Sequence, residues 1–547
     1  MDVVEQSNGG RDPQAPSSPL ARRAFAFGLL GLAYLALVLR FDFVTDDAFI
    51  SFRYSQNLAR GLGLRYNVGV EPPVEGFSNF LWVVWLAIFE GLRWDVTLWA
   101  RLSSVACGAF LLWRCFRLLE RRLGSLQLAG LGALLLATLP PFAAWSTSGL
   151  ATMPFALALF LGFEALLGDA SRPRAAAGAL ALAAVVLLRT DGPYWVMLVA
   201  ASAGIVWLAT RSRALLRATV VACAVAAAVF GLYVAFRHAY FGDWVSNTAR
   251  AKVGFSATRL ERGFNYDAIF LLTYLSVPAA LLLALPRLRR RGEEEGELPA
   301  LVRACFLMVG GTLLFALLVG GDFFCMGRFL VPALPFVVIA GTVALTGLGR
   351  GALPAAVGLV LLSLLPGWDL HLVPESWRAR FHFRWRTDEY MSEHARWLEQ
   401  DSNSAAWTDL GRALRLHSAP GDSFVFGRIG AVGYYSGLVI HDRKGLVDRE
   451  VALKIPSNPD SSPGHEKLAR LSFFRKRRPT FVYAEIRSEE EAGPKDLWEA
   501  YRFRVGGDER EMALLRDYRY EAVPLAEEDG FAPGQVLCRY RRKQPAP

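Results

Sequence analysis

Reactive and metal-binding side chains are scarce in this 547-residue chain, which has six cysteines and seven histidines. No CxxC pair and no Cys/His metal spacing occurs, so a zinc framework is excluded. Nor do the cysteines form a disulfide framework. Cys107, Cys115, Cys223 and Cys305 fall in or beside apolar runs, Cys325 in a short turn and Cys538 near the C-terminus, and core packing is their expected role. No Gly-x-Ser-x-Gly string and no Gly-rich phosphate loop is present; Gly427-Arg428-Ile429-Gly430 is too short and too degenerate to count. The net charge of +10 is spread over loops without a nucleic-acid-binding motif, so nucleic acid is not an expected partner.

What the chain has in abundance is apolar length. It is 53% hydrophobic, and its uninterrupted apolar runs mark a polytopic α-helical membrane protein. Spans are expected at about Ala24–Leu39, Leu98–Leu118, Leu126–Pro140, Leu150–Leu167, Ala175–Leu188 and Pro193–Ala209. Further spans are expected at about Ala214–Phe236, Ala268–Leu285, Pro299–Val319, Phe329–Leu348 and Leu353–Leu365. This reading gives about eleven transmembrane helices, and the arginines test it. With the N-terminus inside, every second loop should be basic. Those loops hold Arg22 and Arg23, then Arg117, Arg121 and Arg122, then Arg172 and Arg174. Arg211, Arg213 and Arg217 follow, then Arg287, Arg289, Arg290 and Arg291, and finally Arg350.

The alternation holds only if one more apolar run, Phe77–Leu92, does not cross. That run contains Asn79 and Glu90 and is followed by a weakly basic Arg93-Trp94-Asp95, so it reads as an interfacial or re-entrant helix on the outer side. Residues 1–20, rich in Pro, Ser and Gly, read as a disordered cytoplasmic segment. Residues 21–366 form the membrane part, with a first outer loop over 41–97. An odd number of spans leaves 367–547 outside. There charges rise, Trp385–Leu416 reads helical, and Ser423–Phe426, Gly437–Ile440, Thr480–Tyr483 and Gln535–Tyr540 read as short strands. A small C-terminal extracytoplasmic α/β domain is expected, in a supporting or glycan-gripping role.

Unusual polar residues collect at the outer ends of spans, not at mid-span as in a transporter. The first group follows the first span, in Thr45-Asp46-Asp47-Ala48-Phe49-Ile50-Ser51-Phe52-Arg53-Tyr54. Read as a helix, Asp46, Ile50, Arg53 and Asn57 share one face, while Asp47 lies about 100° round with Ser51 and Tyr54. A carboxylate can take a proton from a hydroxyl nucleophile, and a guanidinium can grip a phosphate; the plain alternative is that the acids cap a helix N-terminus. On the same side lie Glu75 and Asn79 in Val74-Glu75-Gly76-Phe77-Ser78-Asn79, and Arg189 and Asp191. Asp243, Asn247, Arg250 and Lys252 follow, in a loop that also carries Arg237, Arg259 and Arg262, and then Asp322 and Arg328. Cations on the less basic side suggest an anionic ligand at the outer membrane boundary, such as a lipid phosphate.

The order of motifs DDAFISFRYSQNLARGLGLRYNVG, PVEGFSNFLW, TSGLATMPFA, RTDGPYW, YFGDWVSNTARAKVG and GGDFFCMGRFLVPALP resembles the GT-C polyprenyl-phosphate-sugar glycosyltransferases. Within them the chain is most similar to the mycobacterial terminal arabinofuranosyltransferase family. The resemblance runs from about Asp42 to Asp448 and takes in Gly430-Ala431-Val432-Gly433-Tyr434-Tyr435 and Asp442-Arg443-Lys444-Gly445. Relatives carry an acid in a Gly-Leu-Glu-Thr string where this chain has Ala151.

The resemblance implies a GT-C-like fold and transfer of an arabinofuranose-like or other pentose or hexose from a polyprenyl-phosphate donor to a cell-envelope glycan or lipid. It places the reaction on the outer face of the bacterial cytoplasmic membrane, with membrane lipids as surroundings, and maps the catalytic acid onto Asp46 or Asp47. By face, Asp46 is expected to be the base and Asp47 a capping or orienting residue. Arg53 and some of Arg250, Lys252 and Arg328 are expected to hold the phosphate, with Asn57, Glu75, Asn79, Asp243, Asn247 and Asp322 as further donor- or substrate-binding residues, and Phe77–Leu92 to wall the lipid tail. No cofactor is expected; the alternative is a divalent cation on the paired acids. The competing function is a lipid-linked-sugar flippase without transferase chemistry.

Overall fold

The computed structural model describes residues 19–252, 256–288, 296–384, 390–458 and 461–543. Most of the N-terminal segment read as disordered, together with Arg289, Arg290, Arg291 and residues 385–389, lies outside these. The chain opens with α1 (Pro19–Arg40), α2 (Asp46–Ala59), α3 (Phe80–Gly91) and α4 (Val96–Leu123). Next come α5 (Leu126–Ala137), the single turn α6 (Pro140–Ala144), α7 (Thr152–Leu167), α8 (Ala175–Leu188), α9 (Gly192–Thr210) and α10 (Arg213–Phe241). They are followed by α11 (Asn247–Lys252), α12 (Ala257–Thr273), α13 (Ser276–Leu288), α14 (Glu297–Val319), α15 (Leu334–Leu345) and α16 (Ala352–Leu364). Local signals set several ends. The Asp95 carboxylate accepts the amides of Thr97 and Leu98 to start α4, which stops at left-handed Gly124. Ser212 starts α10, which ends at left-handed Gly242.

The chain is a multi-pass membrane protein: among the described residues seven helices are long and apolar enough to cross a bilayer, or eight if the bent pair α12–α13 makes one span. Every expected span falls on helix, but not every helix has crossing length. Helices α5, α7 and α8 have 12, 16 and 14 residues, rising roughly 18, 24 and 21 Å against a hydrocarbon core of about 30 Å.

The expected continuous span Ala268–Leu285 is broken, with α12 and α13 meeting at 90°. Pro278 accounts for the break. It has no amide to give the carbonyl of Tyr274, and proline is tolerated only in the first turn of the new helix. Helix α3, which covers most of the run Phe77–Leu92, packs along α2. Ser51 and Ser55 of α2 bond to Asn79 and to the Val83 carbonyl. At the other end, Glu90 accepts the Tyr434 hydroxyl at 2.7 Å.

After the short α17 (Glu375–Arg378), α18 (Glu393–Leu416) leads to a five-stranded sheet of order β2-β1-β3-β5-β4. Strand β1 (Ser423–Phe426) pairs parallel with β2 (Val439–Asp442) and β3 (Phe481–Ser488). Strand β5 (Gln535–Arg542) runs antiparallel between β3 and β4 (Tyr518–Pro524). The sequence reading places β1 correctly, sets β2 two residues early, shortens β3 and β5, and misses β4. That strand is an edge with weak alternation and a terminal proline. All six cysteines are free and buried or half-buried.

A short helix, α19 (Gly430–Ser436), follows β1 and packs between α2 and α18. Glycine makes the approach possible: a Cβ on Gly430 would lie 1.8 Å from the Asp46 carbonyl oxygen, and one on Gly433 would meet the Tyr66 hydroxyl. One apolar cluster joins Ile50, Tyr54, Leu64 and Phe77 of the first loop to Phe424, Ile440, Leu446 and Val447 of the sheet region.

Candidate active site

Where the N-terminus of α2 meets the sheet, a cavity of about 520 Å³ opens. Asp46, Asp47 and Ile50 line it from α2, and Phe323 and Phe324 from the turn after α14. Helix α18 adds Arg396, Glu399, Gln400, Asn403 and Trp407. The loops after β1 and β2 contribute Gly427 and Arg428, and Arg443 and Lys444, with Arg504 and His465 completing the basic part.

Asp46 caps a helix, though not its own. Its Oδ1 accepts the Ala431 amide at 2.7 Å and its Oδ2 the Gly430 amide at 3.2 Å, both at the start of α19. One lone pair on each oxygen remains for other partners. Burial pushes the Asp46 carboxyl up to about 6, and the neighbouring Asp47 charge adds to the rise; the two amides and Lys444 act the other way. The Asp47 carboxylate forms no hydrogen bond or ion pair with a described residue.

The cations come from an unexpected place. Phe426 of β1 is in register with Asp442 of β2, so the residues that follow leave the sheet side by side. The crevice at the carboxyl ends of parallel strands is the usual place for ligands in α/β sheets. Arg428 stands there with its guanidinium 4.9 Å from the Trp407 ring centroid. The Asp442 carboxylate folds the second loop by accepting the amides of Lys444 at 2.8 Å and Val447 at 3.0 Å. Burial and the nearby Arg428 pull the Lys444 ammonium down to about 8, against the charges of Asp47, Asp442 and Asp46. Neither the Arg428 guanidinium nor the Lys444 ammonium has a hydrogen bond or ion pair among the described residues. The sequence carries a signal for both: Arg428 two positions after the strand read at Ser423–Phe426, and Arg443 and Lys444 three and four positions after the one read at Gly437–Ile440. The first loop, Gly427-Arg428-Ile429-Gly430, is too short and too degenerate to read as a phosphate loop, and Asp442-Arg443-Lys444-Gly445 enters the sequence reading only through the family resemblance.

The other polar residues expected to bind donor phosphate or substrate lie elsewhere, and most are saturated. Arg53 is 5% exposed; it donates to the carbonyls of Tyr66 at 2.7 Å, Gly433 at 2.5 Å and Leu438 at 2.6 Å. Asn57 bonds the Arg65 carbonyl, and Asn79 bonds Ser51. Glu75 is buried in an ion pair with Arg237 at 2.5 Å and accepts the Tyr233 hydroxyl. Asp243 pairs with Arg250 and with Arg449, and Asn247 donates to the carbonyls of Gly445 and Leu446. Arg259 and Arg262 both pair with Glu466. Asp322 and Arg328 form a bidentate pair at 2.6 and 3.1 Å. The Lys252 side chain lies outside the described residues.

Of the expected set, the cavity receives only Asp46 and Asp47. Arg53, Asp243, Asn247, Arg259 and Arg262 instead bind the sheet region onto the membrane helices. Helix α3 contributes nothing to the cavity lining, so its expected role as a wall for a lipid tail has no support there. Among the described residues no group of three His, Cys, Asp or Glu side chains could hold a metal ion.

The chain has the fold of ArnT from Cupriavidus metallidurans, a GT-C glycosyltransferase. Against ArnT bound to undecaprenyl phosphate the TM-score is 0.58 at 12% identity, covering 94% of this chain and 97% of that one. Against apo ArnT the TM-score is 0.57 at 14% identity, covering 94% and 98%. The arabinofuranosyltransferase AftD from Mycobacteria is also similar, with a TM-score of 0.47 at 16% identity over 96% of this chain and 42% of that one. A family model described as a domain of unknown function (DUF8728) matches residues 389–527. No curated protein matches the chain.

Proposed function

We propose that this protein is a membrane glycosyltransferase. It takes a sugar from a polyprenyl-phosphate donor at the outer face of the bacterial cytoplasmic membrane and passes it to a hydroxyl of an envelope glycan or lipid. The observation that carries the reading is the meeting, around one cavity, of two carboxylates with two cations that form no hydrogen bond or ion pair with a described residue. The fold shared with ArnT, which has been solved with undecaprenyl phosphate bound, supports the donor class.

The division of labour follows from the charges. Asp46, made more basic by burial and fixed by two amides, takes the proton of the acceptor hydroxyl. The acceptor oxygen then bonds the anomeric carbon while the bond from that carbon to the phosphate oxygen breaks. The electron pair leaves with the polyprenyl phosphate, whose added negative charge Arg428 and Lys444 receive. Asp47 keeps Lys444 charged and supports the basicity of Asp46. Fixed cations fill the role a divalent metal would have on the phosphate.

The topology belongs to the same reading: a cytoplasmic N-terminus, about eleven crossings by the alternation of arginines, and the sheet region outside. Membrane vesicles given labelled polyprenyl-phosphate sugar test the function. New glycosidic bonds on the acceptor support the transferase; movement of the lipid-linked sugar without new bonds supports a flippase and overturns the proposal.

A further inference from the structure

The cavity walls are chemically unequal. The loops after β1 and β2 present positive charge, whereas α18 presents a mixed and nearly neutral stripe. Arg396, Glu399, Gln400, Asn403 and Trp407 fall at i, i+3, i+4, i+7 and i+11, one helical face, and all line the cavity. Arg396 holds Glu399 at 2.6 Å, so their charges cancel and one carboxylate oxygen stays available. Gln400 is 8% exposed; its Oε1 accepts the Cys325 amide at 3.4 Å, which orients the carboxamide, while its Nε2 has no partner. The Asn403 carboxamide has no hydrogen bond with a described residue.

A buried, unpaired amide beside a half-satisfied carboxylate asks for a ligand that both donates and accepts without bringing charge. A phosphate does not fit that description; the hydroxyls of a sugar ring do. Neighbours three and four apart on a helix are roughly 5–6 Å from each other at Cβ, a span comparable with hydroxyls across one monosaccharide. We infer that Glu399, Gln400 and Asn403 form the subsite for the hydroxyls of the transferred sugar and set which sugar is accepted. The inference rests on the polyprenyl-phosphate-sugar reading and extends it: the sheet loops hold the phosphate, and α18 reads the sugar.

The test measures binding to the full-length protein in lipid nanodiscs by thermal stabilisation. The probes are undecaprenyl phosphate alone and undecaprenyl phosphate carrying arabinose, glucose or mannose. The wild type should bind one sugar-bearing lipid more tightly than the bare phosphate. Asn403→Ala and Glu399→Gln should bind the bare phosphate as the wild type does and lose about tenfold on the preferred sugar lipid. Ser402→Ala, on the solvent side of the same helix, should change neither. Variants that keep the preference, or that weaken both lipids equally, overturn the subsite. Equal binding of all four lipids by the wild type also overturns it and leaves the donor reading standing. Binding of none of them overturns the donor reading, and the subsite falls with it.

Discussion

The Asp46 carboxylate accepts the backbone amide of Ala431 at 2.7 Å although 385 residues separate the two. An acid in the first loop is thus oriented by the C-terminal region, and the same contact brings it beside Arg428 and Lys444. Neither half of the chain holds a complete site. The contacts that join the halves, made by Arg53, Asn247, Asp243, Arg259 and Arg262, are therefore part of what makes the site.

The pH dependence of transfer follows from two groups. Asp46 must be unprotonated to act as base, and its carboxyl sits at about 6, so the rate should rise with pH through that value. Lys444 must be protonated to hold phosphate, and it sits at about 8, so the rate should fall as pH passes it. The Asp47 charge raises both values, so Asp47→Asn should shift both limbs of the bell to lower pH. A pH–rate profile of the two proteins checks this, and an unmoved bell contradicts the role given to Asp47.

Arg53 and Lys444 should fail in different ways. Arg53→Leu leaves the carbonyls of Tyr66, Gly433 and Leu438 without their donor, at about 1–3 kcal/mol for each buried group left unpaired. It should lower the melting temperature by several degrees. Lys444→Ala should leave melting unchanged and weaken donor binding about 10- to 100-fold, the worth of a hydrogen bond to a charged group. Loss of donor binding by Arg53→Leu at unchanged melting temperature would restore the guanidinium as a ligand.

Single cysteines at Arg93 and Ala419, in otherwise cysteine-free protein, should both react with an impermeant reagent added from outside. Arg93 follows α3, whose adjacent end bonds to Tyr434 through Glu90. Reaction of position 93 from the cytoplasmic side only would show that α3 crosses.

Transfer should continue in a chelator, because Arg428 and Lys444 supply the positive charge at the phosphate. Loss of activity on chelation, restored by a single divalent ion, contradicts that assignment.

The helices of the membrane part are legible because apolar length is a local signal; α4, α10 and α14 lie where it places them. The break after Thr273 was not read, since Pro278 sits inside an unbroken apolar run and its missing amide matters only once the helix is drawn. Asp46 and Asp47 stand out in the sequence from their place after the first span, and both line the cavity. Arg53 was misread for a physical reason: a face shared with Asp46 fixes direction, not occupancy, and its donors go to carbonyls more than 370 residues away. Arg53, Asp243, Asn247, Arg259 and Arg262 lie on one side because the sheet region docks there. Arg428 and Lys444 stayed hidden because the register of two parallel strands, which no local pattern records, is what sets them together.

The most direct test of the central claim is the transfer rate of Asp46→Asn in proteoliposomes loaded with polyprenyl-phosphate sugar and acceptor, with donor binding measured on the same preparation. Loss of a general base lowers rate by about 100- to 10,000-fold. The site described here predicts a fall of that size with the folded variant still binding donor. Transfer at the wild-type rate by Asp46→Asn would contradict it.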